Sequence, residues 1–399
     1  MITLQEAFDI VLDHTMDYGT EGVHYEAAVG RVLAKPVKAS RDLPPFDRVA
    51  MDGIAVLYEM VESGQRRFEM ERVIAAGDPL AEVEDPRKAV EIMTGAALPE
   101  GVDTVIRYED LKVGDGWAEI MVDTVVRGQN IHHRGKDNHV GEVLIPAGKR
   151  LTPTDISMLA SEGMVEVEVF RVPSFGIISS GDELVSVAEE PAPHQIRRSN
   201  VYAIQALLAP YHPRIEMYHF KDDKDDIRRG LREAFESHDA LILVGGVSKG
   251  KFDYIPGVLS ELGAEKHFHR VAQRPGKPFW FGTLGRKCIF ALPGNPVSSM
   301  ASTVRYVIPW MRACLGLEAD YSIPVVLSKG LEFKPTLTRL LEASLTVDDK
   351  GVCRADPQPG HGSGDFTRLV YSDGFLELPA DKPRFEAGEI YPFWRTVFD

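Results

Sequence analysis

Cysteine is scarce in this chain: Cys288, Cys314 and Cys353 are its only three, and none stands in a Cys-x-x-Cys pair. That excludes a disulfide framework, offers no structural zinc pattern and fits a reducing compartment. No apolar run approaches the roughly 18 residues that a membrane span needs. Residues 1–15 read as an amphipathic helix with Leu4, Ala7, Phe8, Val11 and Leu12 apolar, without the basic start and long apolar core of a secretory signal. Positive charge is also in deficit. A formal net charge of −15 and a pI near 5.3 set up long-range repulsion against nucleic acid and anionic membrane surfaces. Neither a Walker A Gly-Lys-Ser/Thr nor a G-x-G-x-x-G fingerprint is present, and we find no internal repeat or low-complexity segment. The expectation is a cytoplasmic globular protein that binds neither nucleic acid nor membrane. Its 44% hydrophobic content suffices for the cores of two to four domains.

Residues 1–42 read as helix, turn and a short extended segment, ending at Leu43-Pro44-Pro45, where two prolines exclude helix. Residues 46–141 alternate short strand-like runs with turns, which predicts a β-rich insert. A short helix follows at 151–162, with Thr152 or Thr154 as cap and Pro153 at its start. Strand and helix patterns then alternate from 174 to 316: strands at 175–179, 215–220 and 240–244, helices at 200–208, 225–235 and 254–262. Such alternation predicts a parallel, doubly wound α/β domain with helices on both faces. The last 80 or so residues read as strands and turns, a small β-barrel or sandwich. The division we expect is 1–43 with 142–171, 44–141, 172–318 and 319–399.

Glycine-rich polar loops follow the apolar runs of the α/β segment. They are Gly245-Gly246-Val247-Ser248-Lys249-Gly250-Lys251-Phe252-Asp253, Arg274-Pro275-Gly276-Lys277-Pro278 and Leu292-Pro293-Gly294-Asn295-Pro296. Glycine admits positive φ and close approach of backbone N–H groups, and the neighbouring cations match phosphate or oxyanion oxygens. In doubly wound sheets such loops fall where ligands bind, beyond the carboxyl ends of the strands. Ser180-Gly181-Asp182-Glu183-Leu184 belongs to the same edge, where its carboxylates suit a polar heterocycle or Mg²⁺, although a simple helix cap would look alike. Arg274 and Lys277 flank a rigid turn that suits a tetrahedral oxyanion; solvated charges on an exposed turn are the plainer reading. In the insert, Asp52 and Thr94 lie in polar turns that either face a ligand or close hairpins. His132, His133 and His139 match no metal spacing and read as a solvated loop. Gly360-His361-Gly362-Ser363-Gly364-Asp365 is a polar turn that presents Ser363 near Arg368.

Taken in order, these segments resemble one family, the MoeA-type molybdopterin molybdenumtransferases, which include the E domain of gephyrin. The likeness rests on Leu43-Pro44-Pro45-Phe46-Asp47, Ala50-Met51-Asp52-Gly53, Ile92-Met93-Thr94-Gly95-Ala96, Ser180-Gly181-Asp182-Glu183-Leu184 and Ser199-Asn200. It continues through Gly245-Gly246-Val247-Ser248, Pro275-Gly276-Lys277-Pro278 and Leu292-Pro293-Gly294-Asn295-Pro296-Val297-Ser298, and so spans essentially the whole chain.

The resemblance implies a homodimer of four-domain subunits and insertion of molybdate into adenylylated molybdopterin, giving molybdenum cofactor and AMP, with Mg²⁺ or alternatively Zn²⁺ assisting. Carried onto this sequence, Asp52, Thr94 and Asp137 face the site from the insert. Glu183 and Asp253 bind metal and act in catalysis. Ser248, Arg274, Lys277 and Ser363 hold molybdate or phosphate, and the pterin lies along Gly181, Asp182, Gly245, Gly246, Pro293, Gly294, Asn295 and Pro296. The implied partners are a molybdopterin adenylyltransferase and molybdenum-enzyme apo-proteins.

The chain departs from the family pattern at Arg48-Val49, where Asn-Ser is usual, and at Leu243-Val244, where Thr/Ser-Ser is usual. Lys251 and Arg198 replace acidic residues, and Arg274 replaces lysine. These changes keep open a second reading, a non-catalytic molybdopterin-binding carrier or scaffold. A third is a nucleotide pyrophosphatase on the same α/β domain.

Overall fold

The computed structural model describes residues 1–246, 254–333, 337–358 and 366–396. The chain divides into two compact units, one of residues 1–34, 150–152 and 166–399, the other of residues 35–149 and 153–165. No helix among the described residues is long and apolar enough to cross a membrane.

The first unit is built on a six-stranded sheet. Strands Ile215–Phe220, Phe175–Ser180, Ala240–Val244 and Lys287–Leu292 run parallel in that spatial order. Two further strands, Trp280–Leu284 and Glu265–His269, extend one edge antiparallel. Antiparallel pairing there follows from the connection: Gly285 and Arg286 alone join Leu284 to Lys287, too short for a crossover. Every residue of Phe175–Ser180 and Ala240–Val244 is buried, because both faces of the sheet are covered. Ile177 and Ile242 pack with helix Asn200–Leu208 and the segment 296–314. Leu241 and Leu243 face helices Lys224–Ser237 and Ile255–Glu261 on the other side. The doubly wound arrangement is therefore present.

Helix Leu4–Leu12 joins the same unit. Its start is closed by a capping box, in which Thr3 Oγ1 accepts from the Glu6 N–H at 3.1 Å and Glu6 Oε2 accepts from the Thr3 N–H at 2.7 Å. Its apolar face, Leu4, Ala7, Phe8 and Val11, is buried as the periodicity predicts. The guanidinium of buried Arg305 lies 4.1 Å from the Phe8 ring and 4.4 Å from that of Trp394, and ion-pairs with Glu377 at 2.9 Å. That cation ties the helix and the α/β layer to the C-terminal strands.

Those strands close on themselves. Thr338–Val347 pairs with Cys353–Pro357 and with Gly374–Leu378, and Ile323–Leu327 and Ile390–Arg395 complete a five-stranded barrel around Val325, Leu341, Leu376 and Phe393. Gln273–Arg274 attaches to it in parallel with Thr338 and Arg339.

The second unit centres on another six-stranded sheet, with Gly53–Val56 hydrogen-bonded between Ala89–Ile92 and Thr104–Arg107. Gly53 is required there: a Cβ would lie 1.9 Å from the Ile106 carbonyl oxygen of the neighbouring strand. Helix Pro153–Ser161 completes this unit, and Lys149 reaches its buried Asp155 at 2.6 Å.

Candidate functional site

The carboxyl ends of the parallel strands open onto a cavity of about 850 Å³. Ser179 and Ser180 reach it from the end of one strand and Val244 from the next. Asp222 follows the third, two residues beyond Phe220. Three glycines beyond these ends hold the left-handed region, Gly181 at φ +140°, Gly245 at +98° and Gly246 at +66°. The loop after Lys287–Leu292 lies against them: a Cβ on Gly294 would sit 3.3 Å from the Gly245 α-carbon, and the Gly245 N–H donates to the Leu292 carbonyl at 3.0 Å. A side chain at Gly294 would press on the facing loop, and the positive φ of the other three disfavours any residue with a Cβ, so the glycines keep backbone at the cavity wall.

One side of the cavity is a strap running from Gly181 to Ser199. The Ile196 N–H donates to Glu183 O at 2.8 Å and the Arg198 N–H to Val185 O at 3.0 Å, pairing Leu184–Val185 with Ile196–Arg197 in parallel. Arg197 Nε donates to the Val187 and Glu189 carbonyls, at 3.0 and 3.1 Å, and closes the strap's outer turn. The exposed Glu183 carboxylate folds back over Gly181, and Asp182 accepts from the Asp222 N–H at 3.3 Å. The strap then enters helix Asn200–Leu208, whose cap residue Ser199 makes no side-chain cap bond. Asn200 Nδ2 donates to Gly294 O at 2.8 Å and fastens strap to loop. Two buried polar atoms at this edge, Arg198 Nε and Asn295 Oδ1, have no hydrogen-bond partner among the described residues.

Gly181, Glu183, Gly245, Gly246, Gly294 and Pro296 thus line one cavity, with Asp182 bonded to another of its walls and Pro293 and Asn295 in the adjoining loop. Sequence reasoning missed Asp222 and Gln195 as cavity residues. Asp222 carried a signal, its place just past a predicted parallel strand; Gln195 carried none.

Arg274 and Lys277 are exposed and do not line this cavity. Arg274 stands in strand register with Arg339, and their guanidinium carbons lie 5.9 and 4.8 Å from the Phe333 ring. Burial lowers the pKa of Arg339 and the neighbouring Arg274 charge adds to that, with Glu342 opposing. Two adjacent like charges favour an anion between them. Arg339 too escaped sequence reasoning, because only barrel register brings it beside Arg274. Ser248, Lys249, Lys251, Asp253 and Ser363 lie outside the described residues.

Asp52, Thr94 and Asp137 belong to the second unit. Asp52 Oδ1 accepts from the Thr94 hydroxyl at 2.7 Å and from the Thr94 N–H at 2.6 Å, and these two bonds lower its pKa. Asp137 accepts from His132 at 2.8 Å, while His133 and His139 approach Asp47 and Asp42 at 3.4 and 3.7 Å. Among the described residues no group of three His, Cys, Asp or Glu could hold a metal ion. Arg48 pairs in strand register with His132 in this unit.

Comparison with known proteins covers the same length. Residues 2–163 match the MoeA N-terminal region (domain I and II), residues 176–313 a probable molybdopterin binding domain, and residues 324–394 the MoeA C-terminal region (domain IV). The molybdopterin molybdenumtransferase of Synechocystis sp. is 37% identical over 99% of this chain and 100% of its own. That of Staphylococcus aureus strain COL is 30% identical over 100% of this chain and 96% of its own. The crystal structure of the molybdopterin biosynthesis moeA protein from Pyrococcus horikoshii OT3 superposes with a TM-score of 0.82 at 27% identity, covering 98% of this chain and 99% of that one. Motif order, domain models, relatives and fold agree, and the chain belongs to the MoeA family of transferases in molybdenum cofactor biosynthesis.

Proposed function

We propose that this protein inserts molybdate into adenylylated molybdopterin, releasing molybdenum cofactor and AMP. The observation that carries the reading is the cavity at the carboxyl ends of the parallel strands, with backbone exposed at Gly245, Gly246 and Gly294 and both charge signs on its wall. Its size suits a ligand larger than a mononucleotide, and its glycines let N–H groups reach phosphate oxygens.

In this reading the pterin rests along Gly181, Asp182, Gly245, Gly246, Pro293, Gly294, Asn295 and Pro296. Arg274 and Lys277, with Arg339 beside Arg274 and with Ser248 and Ser363, hold the incoming oxyanion. Cations are needed because molybdate, dithiolene and phosphoanhydride are all negative and repel by about 1 kcal/mol per close pair in water. Asp52, Thr94 and Asp137 serve the site from the β-rich insert of a homodimer. The four-part division at residues 43, 141, 171 and 318 and a cytoplasmic location belong to the same proposal. So do encounters with a molybdopterin adenylyltransferase and molybdenum-enzyme apo-proteins.

Mg²⁺ fits the residues present: it takes one or two carboxylates and completes its shell with substrate phosphates and water. Glu183, exposed at the cavity wall, would supply such a carboxylate; Asp253, outside the described residues, is the second that the resemblance implies. The ion supplies neutralisation of charge on the phosphoanhydride. The described residues offer no His/Cys set that would favour Zn²⁺.

AMP release from adenylylated molybdopterin by the purified protein tests the reading. Release that requires molybdate supports it. Binding without release would make the chain a carrier or scaffold, and release without molybdate a pyrophosphatase.

A further inference from the structure

The geometry points to Arg198 as a substrate-binding residue of this chain, supplying a fixed positive charge to a phosphate of the ligand in the cavity. The assignment rests on the functional reading above for the identity of that ligand.

Three observations converge on it. Arg198 lines the cavity, and its Nε–H is buried without a partner among the described residues. The backbone at Arg198 is pinned, since its N–H donates to Val185 O at 3.0 Å and the next residues enter helix Asn200–Leu208. The adjacent Arg197 is occupied differently. Its Nε is committed to the Val187 and Glu189 carbonyls at 3.0 and 3.1 Å, so it holds the strap shut while Arg198 keeps its donor.

A guanidinium matches phosphate better than it matches a neutral pterin edge, because its planar fork can place two N–H groups on two oxygens. Position strengthens the match. Arg198 immediately precedes Ser199-Asn200, and Asn200 is bonded to Gly294, so the cation and the glycine-rich loop share one wall.

The test measures dissociation constants of inorganic pyrophosphate, molybdopterin and adenylylated molybdopterin for the wild-type protein, Arg198→Ala and Arg198→Lys. Loss of a charged hydrogen bond predicts about ten- to a hundredfold weaker binding of all three by Arg198→Ala. The salt dependence should become shallower, Arg198→Lys should recover part of the affinity, and the melting temperature should change little because Arg198 Nε bonds none of the described residues. Wild-type affinity and wild-type salt dependence in a folded Arg198→Ala protein would overturn the inference. Pyrophosphate binding that depends on Arg198, with no binding of either pterin, would keep the inference and overturn the functional reading. A wild-type protein that binds none of the three would overturn both.

Discussion

Asn200 donates its side-chain amide to the carbonyl oxygen of Gly294 at 2.8 Å, across 94 residues of sequence, and so joins the two walls of the cavity. The bond is partly solvent-exposed, and removing it should cost about 1 kcal/mol of stability or less. Asn200→Ala should therefore unfold close to the wild type in urea, while its dissociation constant for adenylylated molybdopterin rises severalfold. A large loss of stability with unchanged affinity would show that the bond serves the fold instead.

Two glycines separate packing from site geometry. At Gly53 the atom in the way of a Cβ is a backbone oxygen of the adjacent strand, which cannot move independently; at Gly181 it is the end of the Glu183 side chain, 2.5 Å away, which can. Gly53→Ala should lose about 1–3 kcal/mol or more and lower the melting temperature by calorimetry. Gly181→Ala must hold a φ of +140° and should lose about 1–3 kcal/mol from backbone strain, but in addition it displaces Glu183. AMP release should fall in Gly181→Ala by more than its unfolded fraction accounts for.

The Thr94 hydroxyl and N–H hold the Asp52 carboxyl below the usual carboxylate range. Thr94→Val removes the side-chain bond, the larger of the two causes, and keeps the backbone one. The Asp52 carboxyl should then titrate at a higher pH by carbon-13 NMR, moving back toward the ordinary value. An unmoved titration would mean that the hydroxyl does not bond the carboxylate in solution.

His267 lies against His14 with the rings tilted and their centroids 4.0 Å apart, and shares a hydrogen bond with Thr283 at 2.9 Å. Burial lowers its pKa, with His14 adding to the effect and Glu265 opposing it; burial likewise lowers that of His238. A depressed histidine pKa means that the unfolded chain binds the proton more readily. Stability is then fully present above about pH 6.5 and declines as the pH falls below it. Melting temperatures between pH 7.5 and 5 should show that decline, and His267→Gln should make it shallower without abolishing it, because His238 acts in the same direction. An identical slope in the variant would contradict the assignment.

Much of the architecture was legible because local pattern decided it. Asn200–Leu208, Ile215–Phe220 and Ala240–Val244 fall where their apolar periodicity places them. Strand direction is another matter. Periodicity looks the same whichever way a strand runs, so the alternation across 174–316 predicts a parallel sheet and gives no sign of the antiparallel edge formed by Trp280–Leu284 and Glu265–His269. The glycine loops were legible as a ligand edge because they follow strands. The Arg274–Arg339 neighbourhood was not, since barrel register decides it, and the bond from Thr94 to Asp52 spans 42 residues that no local pattern connects.

The most direct measurement of the central claim is to quantify, in one reaction with adenylylated molybdopterin and molybdate, the AMP released and the molybdenum bound to the pterin product. The account predicts equal amounts of the two, and neither product when molybdate is omitted. AMP release without molybdenum on the pterin, or bound pterin with no AMP released, would contradict it.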